Sequence, residues 1–177
     1  KDALKEQYNV LSGKWPEKYN ELVLVLREPN SIPDLLIYFL GLRDMDELYD
    51  MISKIMEGKS VTSNNDPLKL SYEDLMNIEF KLINPSDTYK YNSKYDIYED
   101  MSDDEKYMKD IYNKSETLKI VGIVCPKDGE NTMLLNQGVG YTSALINHII
   151  DKSSKTDIVK KYKVFSLNTS LSFNLVA

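Results

Sequence analysis

The stretch TLKIVGIVCP, Thr117–Pro126, is the strongest strand signal in the chain. A short, continuous apolar run rich in β-branched residues is typical of a strand that is buried on both faces. Pro126 marks its end because proline has no N–H to give to a neighbouring strand. The stretch NELVLVLRE, Asn20–Glu28, shows the same pattern, and Pro29 and Asn30 end it. These two buried strands predict the centre of a sheet.

The remaining segments predict helices and strands in an irregular order. The alternating sequence IEFKLI, Ile78–Ile83, predicts a half-buried strand. The tyrosine-rich stretch after it predicts a further strand or one arm of a hairpin. A short helix is predicted at 156–162 and a strand at 164–167. Strands and helices that alternate without a regular pattern predict an α+β fold, with a mixed sheet and packed helices.

Polar residues before apolar stripes predict where the other helices begin. The predicted capping residues are Ser31, Asp44, Ser71, Ser102 and Thr142. The predicted apolar faces are Leu35, Leu36, Phe39 and Leu40, then Leu48, Met51, Ile52 and Ile55, and then Leu145, Ile146, Ile149 and Ile150. Gly41 and Gly58 are predicted to end the first two of these helices.

Two segments carry weaker patterns. Residues 1–18 have weak helical spacing that Gly13 and Pro16 break, which predicts a lead-in to the domain. The sequence GVGY, Gly138–Tyr141, predicts a flexible hinge into the helix that follows. It lacks the third glycine and the acidic ribose partner of a dinucleotide site, so a phosphate cradle is not predicted there.

Composition excludes several classes of protein. The chain has 177 residues, which suits one domain or one domain with two lobes. Its net charge of −6 argues against nucleic-acid binding, which needs clustered lysine and arginine. The single cysteine, Cys125, excludes an internal disulfide and a cysteine-based zinc cluster. No run approaches the roughly 20 apolar residues that cross a bilayer. The start at Lys1, without methionine or signal peptide, predicts a segment cut from a longer protein.

Candidate catalytic and metal-binding residues are few. The acidic sequence YEDMSDDE, Tyr98–Glu105, lacks the central glycine and alternate spacing of a calcium loop. It is therefore interpreted as a helix N-terminus, where acids favour the positive end of the dipole. His148 is the only histidine, and nothing in the sequence links it to Cys125, so no catalytic residue, cofactor site or metal site is predicted.

Tyrosines are concentrated in one polar stretch. Tyr89, Tyr91, Tyr95 and Tyr98 lie within ten positions, and exposed tyrosine is common at protein interfaces because it combines apolar area with a polar tip. These four residues are the predicted partner surface. The alternative is that they cover the sheet from one side.

Several sequence segments, taken in order, resemble one protein family. They are LSGKWPEKYNELVLVL, IPDLLIYFLGLRDMDEL, LSYEDLMNIEFKLINPSDTY, ETLKIVGIVCPKDG and GVGYTSALINHII, and the similarity spans roughly Leu11 to Asp157. Together they resemble the large extracytoplasmic domain of FtsX-like permeases of ABC transporters from Gram-positive bacteria, within the wider MacB-type family. The Gly-x-Trp-Pro turn before an apolar strand, Gly13–Pro16, is the family's recurrent strand opener. The tail after residue 164 departs from the family's pattern.

The resemblance implies a parent protein with four membrane helices and this domain on the extracellular face of the cell membrane. It implies a MacB-like core lobe at about 11–30 and 78–167, with a mainly helical insertion at about 31–77, in one domain spanning 1–177. The implied partners are an ABC ATPase subunit or domain and, as a further option, a second permease copy or an accessory envelope protein. The implied role is non-catalytic coupling of ATP-driven motion to export, antimicrobial-peptide resistance or envelope signalling. The alternative is a surface module that captures a peptide or a cell-wall fragment.

Overall fold

The computed structural model describes residues 2–60, 68–127, 134–162 and 174–176. The predicted α+β fold with a mixed sheet is confirmed. The helices and strands of the described residues are α1 (Asp2–Glu6), β1 (Tyr8–Gly13), β2 (Glu21–Val25), α2 (Asp34–Phe39), α3 (Met45–Met56), α4 (Tyr72–Met76), β3 (Glu79–Ile83), β4 (Tyr89–Asn92), β5 (Ile97–Asp100), α5 (Glu105–Lys114), β6 (Glu116–Pro126), β7 (Gly138–Tyr141), α6 (Ser143–Ser154), α7 (Asp157–Tyr162) and β8 (Asn174–Val176).

Strand β6 is the centre of a six-stranded sheet. The main strand order is β7-β2-β6-β3-β8, and β1 also pairs with β6. The β2 strand runs parallel to β6, whereas β1 and β3 run antiparallel to it. The outer strands β7 and β8 are antiparallel to β2 and β3. Strands β4 and β5 form a separate two-stranded sheet.

Strands β1 and β3 share the same edge of β6, one after the other. The β3 strand pairs with the first residues of β6, from Glu116 to Lys119, and β1 pairs with the last, from Gly122 to Pro126. At the junction Gly13 has a φ of +69°, and a Cβ atom there would lie 2.1 Å from the backbone oxygen of Val121. Only glycine satisfies both the left-handed backbone and the close approach.

The two faces of the sheet carry separate apolar clusters, as the alternation along β2 shows. Leu22 and Leu24 belong to the larger cluster, which helices α2, α4 and α6 cover. Val23 and Val25 face the other side, where a smaller cluster includes Tyr8, Val124, Leu4, Trp15 and Leu135. All five residues of β2 are buried, so the prediction of a strand covered on both faces is confirmed.

The turn before β2 is held by a buried carboxylate. Glu21 accepts hydrogen bonds from the backbone N–H groups of Glu17 and Lys18, at 2.7 and 3.0 Å. Lys14 lies 3.2 Å from its other oxygen. The two backbone N–H groups, followed by Lys14, lower the pKa of Glu21 to about 2. The Trp-Pro turn thus fixes where the chain enters the sheet.

Three of the described strands were missed by the sequence patterns, and β8 at Asn174–Val176 is one of them. Residues Tyr8–Gly13, predicted as part of a lead-in, form β1, whose burial comes from Tyr8 packing beside Trp15 at a ring distance of 6.1 Å. The sequence Gly138–Tyr141, predicted as a hinge, forms the edge strand β7. Its two glycines hide the pattern because they leave one face of the strand without side chains.

Two of the predicted capping boxes are wrong. Helix α2 begins after Pro33 without a side-chain cap, and α5 is capped by Asp104 rather than by Ser102, whose hydroxyl bonds Asp100 instead. The capping box of Ser71 is confirmed in full. The remaining two, Asp44 and Thr142, occupy the predicted N-cap positions, but the side chain of Thr142 makes no capping hydrogen bond.

The predicted apolar faces are confirmed only in part. Leu36, Leu40, Leu145 and Ile149 are buried as predicted. Leu35 and Phe39 are instead 51% and 57% exposed, and Ile52, Ile55 and Ile150 are also exposed. The short helix α2 turns its buried side toward Leu36 and Ile37, and α3 has no buried residue. Periodicity located the helices, but it could not show which neighbours cover them.

The predicted helix at the C-terminal end is confirmed as α7, whereas the strand predicted at 164–167 lies outside the described residues. Among the described residues, helices α2, α3 and α4 fall within the predicted insertion at 31–77, and the division of this insertion from a core lobe stays a prediction. In the described part of the chain, no helix has the length and apolar character of a membrane span.

Replacing Gly13 with alanine should destabilise the fold more than the same change at Gly58. Both residues have a left-handed backbone, with φ of +69° and +72°, but only at Gly13 would the new methyl group meet other described atoms. We expect a cost of about 1–2 kcal/mol for Gly58→Ala and about 1–3 kcal/mol more for Gly13→Ala. Urea denaturation measures both, and equal costs would contradict the close contact at the junction.

Replacing Glu21 with glutamine should cost about 1–3 kcal/mol near neutral pH, because charged hydrogen bonds to two backbone donors are lost. The folded pKa of Glu21 lies below its ordinary value of 4.5, so its stabilisation is present above pH 4.5 and is lost as the pH falls toward 2. The difference in unfolding free energy between the wild type and Glu21→Gln should therefore shrink over this range. Glu17→Gln, an exposed change in the same segment, is the control, because it removes a carboxylate but leaves the bonds of Glu21 to the two backbone N–H groups in place.

Candidate partner surface

The predicted tyrosine surface is built on a hairpin outside the main sheet. Strands β4 and β5 pair from Tyr89↔Asp100 to Asn92↔Ile97. Residues 93–96 form the loop, which Asp96 closes with a left-handed φ of +53°. Aspartate tolerates this conformation better than most residues. The side chain of Asn92 accepts a bond from the backbone N–H of Lys94 at 3.0 Å and so fixes the start of the loop.

Three tyrosine rings form one contiguous group. Tyr91 and Tyr98 lie directly opposite each other on β4 and β5, with ring centroids 5.2 Å apart. Tyr98 also meets the ring of Tyr162, at the end of α7, in an edge-on contact of 6.1 Å. Such aromatic contacts are favourable beyond their buried area. The hairpin and α7 therefore form one surface.

An ionic contact ties the hairpin loop to α7. Lys161 donates hydrogen bonds to the backbone oxygen of Asp96, at 2.6 Å, and to its carboxylate. Tyr91 donates its hydroxyl to the same carboxylate at 2.7 Å. Lys161 first, and Tyr91 second, hold the pKa of Asp96 below its ordinary value. Asp96 in return raises the pKa values of both Lys161 and Tyr91.

The four predicted tyrosines are not equivalent. Tyr91 and Tyr98 lie at the centre of the surface, and Tyr95 is 61% exposed in the loop beside the Lys94 ammonium, 4.9 Å from its ring centroid. Tyr89 is only marginally exposed, and its backbone oxygen accepts a bond from the Tyr107 hydroxyl at 3.3 Å. The prediction that these residues meet a partner stays a prediction.

Lys161 and Tyr162 were missed as members of the surface. Lys161 lies 65 positions along the chain from Asp96, and no local pattern connects the two segments. The only sequence signal was the predicted helix that carries them. Their contribution depends on the packing of α7 against the hairpin.

The acidic residues between Tyr98 and Glu105 stabilise local structure by accepting hydrogen bonds from nearby backbone N–H groups. Asp104 caps α5 by accepting from the backbone N–H of Tyr107 at 2.9 Å, and Asp100 accepts from Ser102. Among the residues that the structure describes, no cluster of three or more histidine, cysteine or acidic side chains is arranged to hold a metal ion.

The single histidine belongs to an ion-pair cluster at the start of β6. Its Nε2 lies 2.9 Å from one oxygen of Glu116, and the Lys152 ammonium lies 2.8 Å from the other. The ring of Tyr19 stacks on that of His148 at 3.9 Å. Burial raises the pKa of Glu116, but the bonds from Lys152 and Tyr19 outweigh it and leave the pKa below its ordinary value. This cluster anchors α6 to β6.

His148 and Cys125 cannot form a catalytic pair. His148 contacts the first residue of β6, whereas Cys125 is buried nine residues further along the same strand. At roughly 3.3 Å per residue, these positions are about 30 Å apart.

Comparisons with known proteins do not extend the family resemblance. No family model, curated protein or solved structure matches the chain. The resemblance to FtsX-like permeases therefore stays a prediction from the sequence segments quoted above.

Replacing Lys161 with methionine should loosen the hairpin without unfolding the chain. The substitution removes the donor to Asp96 but keeps the apolar stem, and exposed charge pairs contribute at most about 1 kcal/mol. We expect amide hydrogen exchange of residues 91–98 to rise about 2- to 5-fold. Lys160→Met is the matched control, because Lys160 pairs only weakly with Asp157 of its own helix, at 3.4 Å. Equal exchange in both variants would contradict the docking contact.

Proposed function

We propose that this chain is the extracellular, non-catalytic domain of an FtsX-like ABC transporter permease. It transmits movement that ATP binding and hydrolysis generate on the other side of the membrane. The observation that carries the proposal is the ordered set of sequence segments within Leu11 to Asp157 that resembles this family. The domain needs no cofactor for this role, and its membrane attachment comes from the parent protein.

The central strand supports transmission as a rigid body. Strand β6 has paired strands on both edges, β2 on one and β3 with β1 on the other, and buried clusters lie on both faces of the sheet. Close-packed interiors of this kind transmit displacement with little deformation. A displacement of one end of β6 therefore moves the whole sheet, and with it the separate hairpin that follows β3 in the chain.

The proposed partners follow from this role. An ABC ATPase subunit or domain drives the parent permease, and a second permease copy or an accessory envelope protein is a further partner at the extracellular side. The tyrosine surface of β4, β5 and α7 is the proposed contact for the latter, because it exposes aromatic rings on a fixed framework. The net charge of −6 supports no role for nucleic acid.

A surface module that captures a peptide or a cell-wall fragment is the alternative function. The exposed tyrosines favour it as much as they favour a contact within a transporter. The two functions differ in their attachment, since a module of this kind needs no membrane helices of its own. Extraction of cell membranes with alkaline carbonate releases a peripheral protein but not a permease.

Thiol labelling in intact cells tests the extracellular position. Ser93 lies exposed in the hairpin loop, whereas Cys125 is only 1% exposed. Ser93→Cys, introduced into the intact parent protein with cysteines outside this chain replaced, should react with a membrane-impermeant maleimide before lysis. The protein that keeps only Cys125 is the control and should stay unlabelled. Labelling of Ser93→Cys only after lysis would contradict the proposal.

A further inference from the structure

We propose that the outer edge of β7 binds an extended apolar peptide segment, which adds to the sheet as a further strand. This goes beyond the proposed function and does not require it, because binding is measured on the 177-residue chain itself. Three features of the molecule carry it. They are a strand edge that no other described strand pairs with, two mostly apolar clefts on opposite faces of that edge, and a buried donor at the first of these clefts.

Strand β7 lies at the edge of the sheet, with β2 as its neighbour. Sheet edges usually carry charge, proline or a bulge that prevents further pairing. The sequence Gly138–Tyr141 has none of these protective features, since it contains only glycine, valine and tyrosine and pairs with β2 in continuous register. The edge is therefore suited to strand addition.

The direction of the backbone groups follows from the pairing of β2 with β6. The N–H of Leu26 donates to the oxygen of Val124 at 2.9 Å, and the oxygen of Asn20 accepts from Lys119 at 3.0 Å. Successive residues of a strand direct their N–H and C=O groups to opposite sides. The even-numbered residues of β2 therefore face β6, and the odd-numbered residues face β7.

This arrangement leaves the backbone groups of Val139 directed outward. Val23 and Val25 bond to their register partners Gly140 and Gly138. Val139, between these glycines, must direct its N–H and C=O away from the sheet, and no described residue pairs with them. An added strand would satisfy both groups.

The first cleft lies on the face of the larger apolar cluster. It has a volume of about 350 Å³ and lies between α2 and the start of β7. Its lining is mostly apolar and includes Leu35, Leu36, Phe39, Phe80 and Val139. Leu35 and Phe39 are the exposed side chains that the helix pattern had assigned to the core, so a bound side chain would complete their burial.

The second cleft lies on the opposite face, beside the smaller cluster. It has a volume of about 470 Å³, and its lining combines the apolar residues Leu4, Trp15, Val23 and Leu135 with Gly140 and with the polar residues Lys5, Glu17, Thr142 and Ser143. Both volumes fall in the range of ligand sites. Side chains of an extended peptide alternate between the two faces of a sheet, so successive residues would enter the first and second clefts in turn.

A buried donor at the first cleft also requires a partner. The Nε2 atom of Gln137, directly before β7, is buried and has no hydrogen-bond partner among the described residues. A buried amide without a partner costs free energy, and a peptide carbonyl is an acceptor of the right kind. Gly138, next to it, has no described atom within 4 Å of a Cβ position, so no described residue blocks the approach there.

A second copy of this chain fits the site less well than a peptide does. If two β7 strands paired, each would offer side chains on one face only, because Gly138 and Gly140 leave the other face bare. The second cleft would then stay empty. A peptide with apolar side chains at two successive positions fills both clefts.

Fluorescence of Trp15, the only tryptophan in the chain, reports on the second cleft directly. The probes are blocked, net-neutral peptides acetyl-Lys-Ser-X-Z-Ser-Glu-amide, in which X and Z are each valine, leucine or phenylalanine. At least one peptide should shift the Trp15 emission with saturation. N-methylation at X or at Z should abolish binding at one position and spare it at the other, because only one of these N–H groups faces β7.

Protein variants distinguish peptide binding at the β7 edge from nonspecific binding elsewhere on the chain. Phe39→Ser should raise the dissociation constant at least about tenfold, as expected for the loss of a buried aromatic contact. Ile55→Ser is the matched control, since Ile55 is 63% exposed on α3 and lines neither cleft. Val139→Pro should also abolish binding while the chain stays folded, because the N–H that it removes faces away from β2.

Three outcomes would overturn the proposal. The first is the absence of a saturable emission shift for every peptide up to about 1 mM. The second is binding that neither Phe39→Ser nor N-methylation changes. The third is a dimer that forms without peptide and that Phe39→Ser dissociates in sedimentation experiments, which would assign the edge to a second copy.

Discussion

The fold depends on one constraint, which is that two antiparallel strands share a single edge of β6. Strand β3 uses the first part of this edge and β1 the last, so the chain must turn away where the two meet. The turn is possible because Gly13 and Gly122 allow backbone to lie against backbone. A Cβ on Gly122 would lie 2.0 Å from the oxygen of Lys14. With this junction closed, β2 can pair with the opposite edge, and Glu21 fixes the turn that brings it there.

The same arrangement places the two candidate surfaces on opposite sides of β6. The tyrosine hairpin follows β3, whereas β7 lies beyond β2. The hairpin is held by charge and ring contacts among exposed residues, while the β7 edge combines apolar clefts with unpaired backbone groups. Substitutions at Lys161 and at Phe39 therefore act on separate sites. One surface suits a partner protein that packs against aromatic rings, and the other suits an extended chain.

Sequence patterns predicted the strands and helices that have a strong local signal. The continuous apolar runs of β2 and β6 and the full capping box at Ser71 are examples. Strands β1 and β7 were not predicted, because they form by pairing with distant strands and their own residues give little strand signal. The tyrosines were identified by composition alone, but Lys161 and Tyr162, which complete their surface, could not be. The exposure of Phe39 likewise could not be predicted from the helical spacing of apolar residues.

The sequence by itself determined the fold class, the central strands, most helix positions and the net negative charge. These follow from local propensity and from charge, which each segment carries wherever it lies. Tertiary structure decided the strand order, the edge position of β7, the docking of α7 on the hairpin and the pairing of His148 with Glu116. Each of these joins residues far apart in the chain, and their free energy depends on burial and geometry that no single segment contains.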